Sequence, residues 1–137
     1  MGMHVNRWWW ATVLMTSTAW GGVITVDDNA FADFATIHEA IDAAANGDEI
    51  LVAPGTYNTT APSDIAIINP LGKSITIRAT GAASDTIIDG NQTYQGVYCG
   101  SKETSDTIIE GFTITNGLSV LASLAIFASA IRYSIKF

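Results

Sequence analysis

Four carboxylates stand out by type and spacing: Asp85, Asp89, Asp106 and Glu110. They belong to one heptad written twice. Ser84-Asp85-Thr86-Ile87-Ile88-Asp89-Gly90 returns twenty-one residues later as Ser105-Asp106-Thr107-Ile108-Ile109-Glu110-Gly111, with Asp to Glu as the only change. If the copies stack on neighbouring turns, each acid faces its counterpart at about 5 Å, and carboxylates that close repel. A Ca²⁺ ion, which takes several oxygen ligands, would relieve the repulsion, so the four acids are the calcium candidates. The competing expectation is solvated turns, because Asp stabilises bends through its own backbone.

Other reactive groups are few. His38 and Asp42 stand at i, i+4, a spacing that suits a metal pair and equally a solvated helix face; the second is expected. Lys73, Arg78 and Lys102 are the only cations among the acids, and each is expected as an exposed strand-end charge. There is no phosphate loop, no Ser/His/Asp order and no Cys/His metal spacing. Acids abound, but no spacing selects a pair for hydrolysis. No residue is assigned as catalytic or cofactor-binding. Asn58-Thr59-Thr60 and Asn91-Gln92-Thr93 have the form of glycosylation acceptors and are expected as turns.

The elements that must carry these residues are strands. A fixed short period means stacked units, none of which can bury its apolar face alone. β-Branched runs of three to five residues recur with polar turns between them: 23–26, 49–53, 65–68, 74–77, 86–88, 96–99, 107–109 and 112–115. Ser74-Ile75-Thr76-Ile77 alternates, placing both Ile residues on one face. One helix is expected, over residues 36–46. Thr36 and Glu39 form a capping box, Ile37, Ala40, Ile41 and Ala44 make an apolar stripe, and Asn46-Gly47 closes it. With no second helix between strands, helical crossovers are excluded. The repeat favours coils over hairpins, so a parallel β-helix is expected, with a β-sandwich as the rival.

Charge narrows the partners. The 137 residues carry thirteen acids and six Lys or Arg, a formal charge of −7, and every acid lies between Asp27 and Glu110. A nucleic-acid partner would want a basic face and is not expected. An anionic polymer would be repelled at long range unless a cation bridged it. The single Cys99 can form no internal disulfide and is expected as a small buried residue.

The ends differ from the middle. Residues 1–7 hold one Arg and no acid, and residues 8–20 are uncharged and start with three Trp. This is the pattern of a signal peptide over residues 1–21, cleaved after Ala19 or Gly21, and it implies a secreted or cell-surface protein. An uncleaved anchor or a buried first strand is the alternative. Residues 118–131 carry no charge and no Gly beyond Gly117, and Arg132 and Lys136 follow. Three readings of 118–137 stay open: a continuation that is not native, a C-terminal helix capping the coil, or a membrane-associated end, the last only if the apolar tail is genuine.

Residues 34–57, with Phe34-Ala35-Thr36-Ile37, Ala40-Ile41-Asp42-Ala43-Ala44 and Asp48-Glu49-Ile50-Leu51-Val52-Ala53-Pro54-Gly55-Thr56-Tyr57, resemble the start of pectin lyase-like right-handed β-helix proteins. Lys73-Ser74-Ile75-Thr76-Ile77-Arg78 and Glu110-Gly111-Phe112-Thr113-Ile114-Thr115-Asn116-Gly117 look like its next coils. The resemblance spans roughly residues 23–117. It implies an all-β, right-handed parallel β-helix over 22–117 with a short N-terminal capping helix. It also implies a repeat module of bacterial type, either a non-catalytic structural or polysaccharide-binding one, or the N-terminal part of a pectin-type lyase or methylesterase whose active coils lie elsewhere. Calcium-dependent lyases of that kind use Lys or Arg as base. No catalytic motif of the family is matched here.

Overall fold

The computed structural model describes residues 21–29, 31–61 and 64–118, and the backbone of 132–136. The chain forms a parallel β-solenoid of about three turns with one short helix among the described residues. The strands are β1 (Val23–Val26), β2 (Glu49–Val52), β3 (Gly55–Tyr57), β4 (Ala66–Ile68), β5 (Thr76–Ala79), β6 (Thr86–Asp89), β7 (Gln95–Val97), β8 (Ile108–Thr115) and β9 (Arg132–Lys136). Every pairing between them is parallel.

Three faces enclose the core. The first is β1-β2-β5 and the start of β8, the second β3-β6 and the end of β8, the third β4-β7. Alternation along each strand sends one set of side chains inward. Ile24, Ile50, Ile77 and Ile109 stand in register on the first face, and the last three are completely buried. Tyr57, Ile88 and Ile114 form the matching column on the second face. Stacked β-branched columns are what the recurring Ile and Val runs encode.

β8 serves two faces because it bends at Gly111. That glycine has φ +84°, in the left-handed region where a side chain would be strained. The two strands expected at 107–109 and 112–115 are therefore one strand with a corner in it.

Helix α1 (Ile37–Ala43) packs on β1, β2 and β4 and closes one end of the core with Ile37, Ala40 and Ile41. Thr36 is its N-cap, accepting from the Glu39 amide, while its hydroxyl donates to the Glu39 carboxylate at 2.8 Å. The helix is shorter than the expected 36–46. Ala44 is already extended, and Lys73 Nζ donates to the carbonyls of Ile41 and Asp42 at 2.5 and 3.0 Å, satisfying groups that another helical turn would have used. Asn46 and Gly47 instead bond Ser74 on the next turn. Beside the helix, Phe34 pairs with the outer edge of β1 through Phe34 N–H to Thr25 O and Asp27 N–H to Phe34 O, both 3.1 Å, which covers part of an edge open to strand addition.

Apart from Gly21, the leader expected at 1–21 lies outside the described residues, as does the helix expected within 118–131 apart from Leu118. Beyond it the backbone of β9 pairs with β8, a strand that the sequence reading of the tail did not anticipate. Among the described residues no helix is long and apolar enough to cross a membrane.

Candidate ligand-binding face

The duplicated heptad sets the first question about a site. Its copies do not stack. Turns of the solenoid take 23 to 32 residues: Glu49 lies against Thr76, Thr76 against Ile108, Ile87 against Thr113 and Thr113 against Lys136. An offset of twenty-one falls short of a full turn, so the first copy is β6 on the second face and the second copy begins β8 on the first face. Asp89 lies opposite Thr115, and Glu110 lies opposite Arg78. The expected carboxylate stack is corrected accordingly: Asp85 and Asp106 are exposed turn residues, and among the described residues no three His, Cys, Asp or Glu side chains are grouped to hold a metal ion.

Asp89 has a local task. Its Oδ1 accepts from the Asn91 amide at 2.9 Å and the Asn116 side chain at 3.0 Å, and these bonds hold its carboxyl below the usual range. Asn91 and Gln92 both have positive φ, so the Asn91-Gln92-Thr93 segment is a tight turn as expected.

The three cations also have partners or places. Lys73 caps the helix, as described. Arg78 is central in β5, not at a strand end, and its guanidinium sits between Glu49, at 3.2 Å, and Glu110, which its Nε contacts directly. Lys102 is exposed in a loop with φ +69°. His38 Nε2 lies 3.5 Å from Asp42 and 3.6 Å from Asp64. The sequence exposed the first of these neighbours and not the second, which comes from a distant loop.

The first face presents its outward side chains in rows across four strands. Thr25, Leu51, Arg78 and Glu110 point outward in one row across four strands, and Val23, Glu49, Thr76 and Ile108 form the row beside it. At the β1 end the surface dips into a groove of about 250 Å³ lined by Thr25, Asp27, Leu51, Ala53 and Thr80, with Phe31 on its rim. Phe31 is 98% exposed, whereas Tyr57 and Phe112 are buried in the core. A single exposed apolar side chain is ordinary on a protein surface, and Phe31 draws notice only because it borders the groove. Thr25 is fixed by Asp33, whose Oδ2 accepts from both its amide (2.9 Å) and its hydroxyl (2.8 Å); these two bonds hold the Asp33 carboxyl below its usual range. Asp33 thus anchors Thr25 at the groove, and Asp27 gives the groove lining its carboxylate.

Tyr57 lies behind this wall, its hydroxyl donating to Ala53 O at 2.9 Å. Burial, reinforced by the charges of Asp28 and Asp27, pushes its phenol up to about 12. It stays neutral and acts as a strut.

Sequence reasoning missed Phe31 and Glu103. Phe31 sits in an Asp/Asn-rich turn, and a lone aromatic among turn residues was the available signal. Glu103, read as part of a charged loop, is buried and accepts from the Gly72 and Ser101 amides, each at 2.9 Å, tying two loops together. Nothing local distinguishes it from a solvated acid.

Comparison with family models, with curated proteins and with solved structures returned no match.

Proposed function

We propose that the chain is an exported β-helix repeat module of the pectin lyase-like type that binds a neutral polysaccharide on the outer surface of its first face and performs no catalysis. The observation that carries this is Phe31, an unpacked aromatic on the rim of a groove that opens onto a flat row of Thr25, Leu51 and Arg78. Sugar rings present apolar C–H faces to an aromatic ring and hydroxyls to carboxylate, guanidinium and hydroxyl groups. The groove supplies the ring, the Asp27 carboxylate and the Thr25 and Thr80 hydroxyls, and the Arg78 guanidinium stands next to Leu51 in the adjoining row. Strands about 4.8 Å apart extend this surface along the solenoid, which suits a polymer better than a compact ligand. The acidic surface disfavours polyanions.

Arg78 supports the non-catalytic reading. Both sides of its guanidinium are occupied by Glu49 and Glu110, so it is engaged in ion pairs and not free to serve as a base. The export half of the proposal rests on residues 1–21 of the sequence.

The test is binding of the purified chain to insoluble neutral glucans and to polygalacturonate, with Phe31→Ala alongside. Retention on a neutral glucan, weakened about tenfold or more in the variant, is expected. Equal retention of both proteins, or preference for polygalacturonate, would refute the assignment. Turnover of pectate or methylated pectin by a clean preparation would refute its non-catalytic part.

A further inference from the structure

Asn-Gly occurs at Asn46-Gly47 and at Asn116-Gly117. Such a pair has a chemistry of its own. The glycine carries no side chain to shield its amide nitrogen, so that nitrogen can attack the carbonyl carbon of the Asn side chain. All four of these residues are exposed, so access to water does not tell the pairs apart. The glycine amides do. Gly47 N–H donates to Ser74 O at 2.8 Å, and Asn46 Oδ1 accepts from Ser74 N–H at 2.9 Å. The attacking nitrogen and the attacked amide are thus both held by the next turn. Gly117 N–H has no hydrogen-bond acceptor among the described residues.

Asn116 stands where a change would be felt. It follows β8 with φ +50°, in the left-handed region that Asn tolerates better than most residues. Its Nδ2 donates to Asp89 Oδ1 at 3.0 Å, a bond on the nitrogen that would leave, not on the one that attacks. The turn after β6 hangs on the same corner. Gly90 N–H donates to Thr115 O at 2.9 Å and Gln92 N–H to Asn116 O at 2.8 Å, while Leu118 N–H returns to Tyr94 O at 3.0 Å. An aspartate at 116 would replace the donor facing Asp89 Oδ1 with a second carboxylate oxygen, and like charges that close repel.

We propose that Asn116 is a site of spontaneous deamidation, and that the acid formed there loosens the turn at residues 90–93 from the end of β8. The Gly117 nitrogen loses its proton to solvent and bonds to Asn116 Cγ. The Cγ–Nδ2 bond breaks, and Nδ2 leaves as ammonia with a proton from water. Water then opens the cyclic imide at either carbonyl, leaving aspartate or isoaspartate. The net change is amide plus water to acid plus ammonia, with no oxidant or cofactor. Isoaspartate also lengthens the backbone by one carbon, which displaces the Asn116 carbonyl from Gln92. Asn46 is spared because its glycine nitrogen must first leave Ser74. The proposal does not require that the groove at Phe31 bind polysaccharide.

The experiment is peptide mapping by mass spectrometry of the full chain, held for several weeks in mildly alkaline buffer at physiological temperature, folded and in concentrated urea. In urea both pairs should convert at similar rates, since their local sequences match at the reacting atoms. In the folded chain Asn116 should convert about fivefold or more faster than Asn46, the ratio set by about 1 kcal/mol for the hydrogen bond at Gly47. Equal folded rates, conversion confined to Asn46, or no conversion in the folded chain while the urea sample reacts would each overturn the site. The consequence is read from melting temperatures. Asn116→Asp should melt lower than the unaltered chain at neutral pH, and adding Asp89→Asn, which restores one amide facing one carboxylate, should recover most of the loss. An unchanged melting temperature, or no recovery in the double variant, would overturn the coupling to the turn.

Discussion

The two copies of the Ser-Asp-Thr-Ile-Ile-Asp/Glu-Gly heptad take the same local structure and do different work. Each enters from a turn, buries its Thr and second Ile, and turns its first Ile and its acid outward: Thr86 and Ile88 match Thr107 and Ile109, all completely buried. There the likeness ends. In the first copy, Asp89 stabilises the next turn. In the second, Glu110 pairs with Arg78 across the face that carries the candidate site. Gly90 admits close backbone approach, since an added Cβ would come within 2.4 Å of Tyr94 O and 2.6 Å of Gly117 Cα. Gly111 instead supplies the positive φ of the corner in β8. A local pattern fixes which side of a strand faces the core. It does not fix which sheet the strand joins, because that depends on how many residues each turn of the solenoid consumes.

The likeness should be sharpest in the core. Ile88→Ala and Ile109→Ala each remove a fully buried side chain from a stacked column, and each is expected to cost about 2–5 kcal/mol. Chemical denaturation measures this, and a cost under about 1 kcal/mol at either position would mean that the column is not packed as described.

The copies should part at their threonines. The Thr107 hydroxyl donates to Lys73 O at 3.0 Å, whereas the Thr86 hydroxyl is buried with no hydrogen-bond partner among the described residues. Thr107→Val should therefore destabilise by about 1 kcal/mol, and Thr86→Val should be neutral or stabilising by up to about 1 kcal/mol. Equal losses at both sites would remove the distinction.

The smallest expected effect is at Asp89. Its carboxyl is held below the usual Asp range by bonds from Asn91 and Asn116. A carboxyl depressed in the folded state contributes stability above its unfolded value, and that contribution disappears as pH falls through the folded value. The melting-temperature advantage of the unaltered chain over Asp89→Asn should thus be constant above about pH 5 and vanish in more acid solution, below the ordinary Asp range near 3.9. An advantage that persists there would show that the turn does not depend on the ionised group.

Much of the fold was legible in the sequence because it rests on short-range pattern. β-Branched runs between polar turns marked β1, β2, β4, β5, β6, β7 and both halves of β8, and Thr36 with Glu39 marked the start of the helix. What could not be read is what distant segments supply. Lys73 ends the helix from thirty residues away, Asp64 reaches His38 from a loop, and Glu103 joins two turns. The repeat misled about stacking because identical residues invite the assumption of identical neighbours, and an offset of twenty-one is shorter than any turn this solenoid makes. Of the candidate face, Arg78 and Glu110 were visible as charges, but their pairing follows only from the register of β5 and β8, and the exposure of Phe31 only from the course of the chain between β1 and the helix.

The most direct test of the account separates the two faces that the heptads occupy. An amide NMR titration with a soluble neutral oligosaccharide should shift Thr25, Phe31, Leu51 and Arg78 on the first face and leave Ile87 and Asp89 on the second unmoved. Shifts centred on Ile87 and Asp89, or none at all, would contradict the assignment of the ligand-binding surface to the first face.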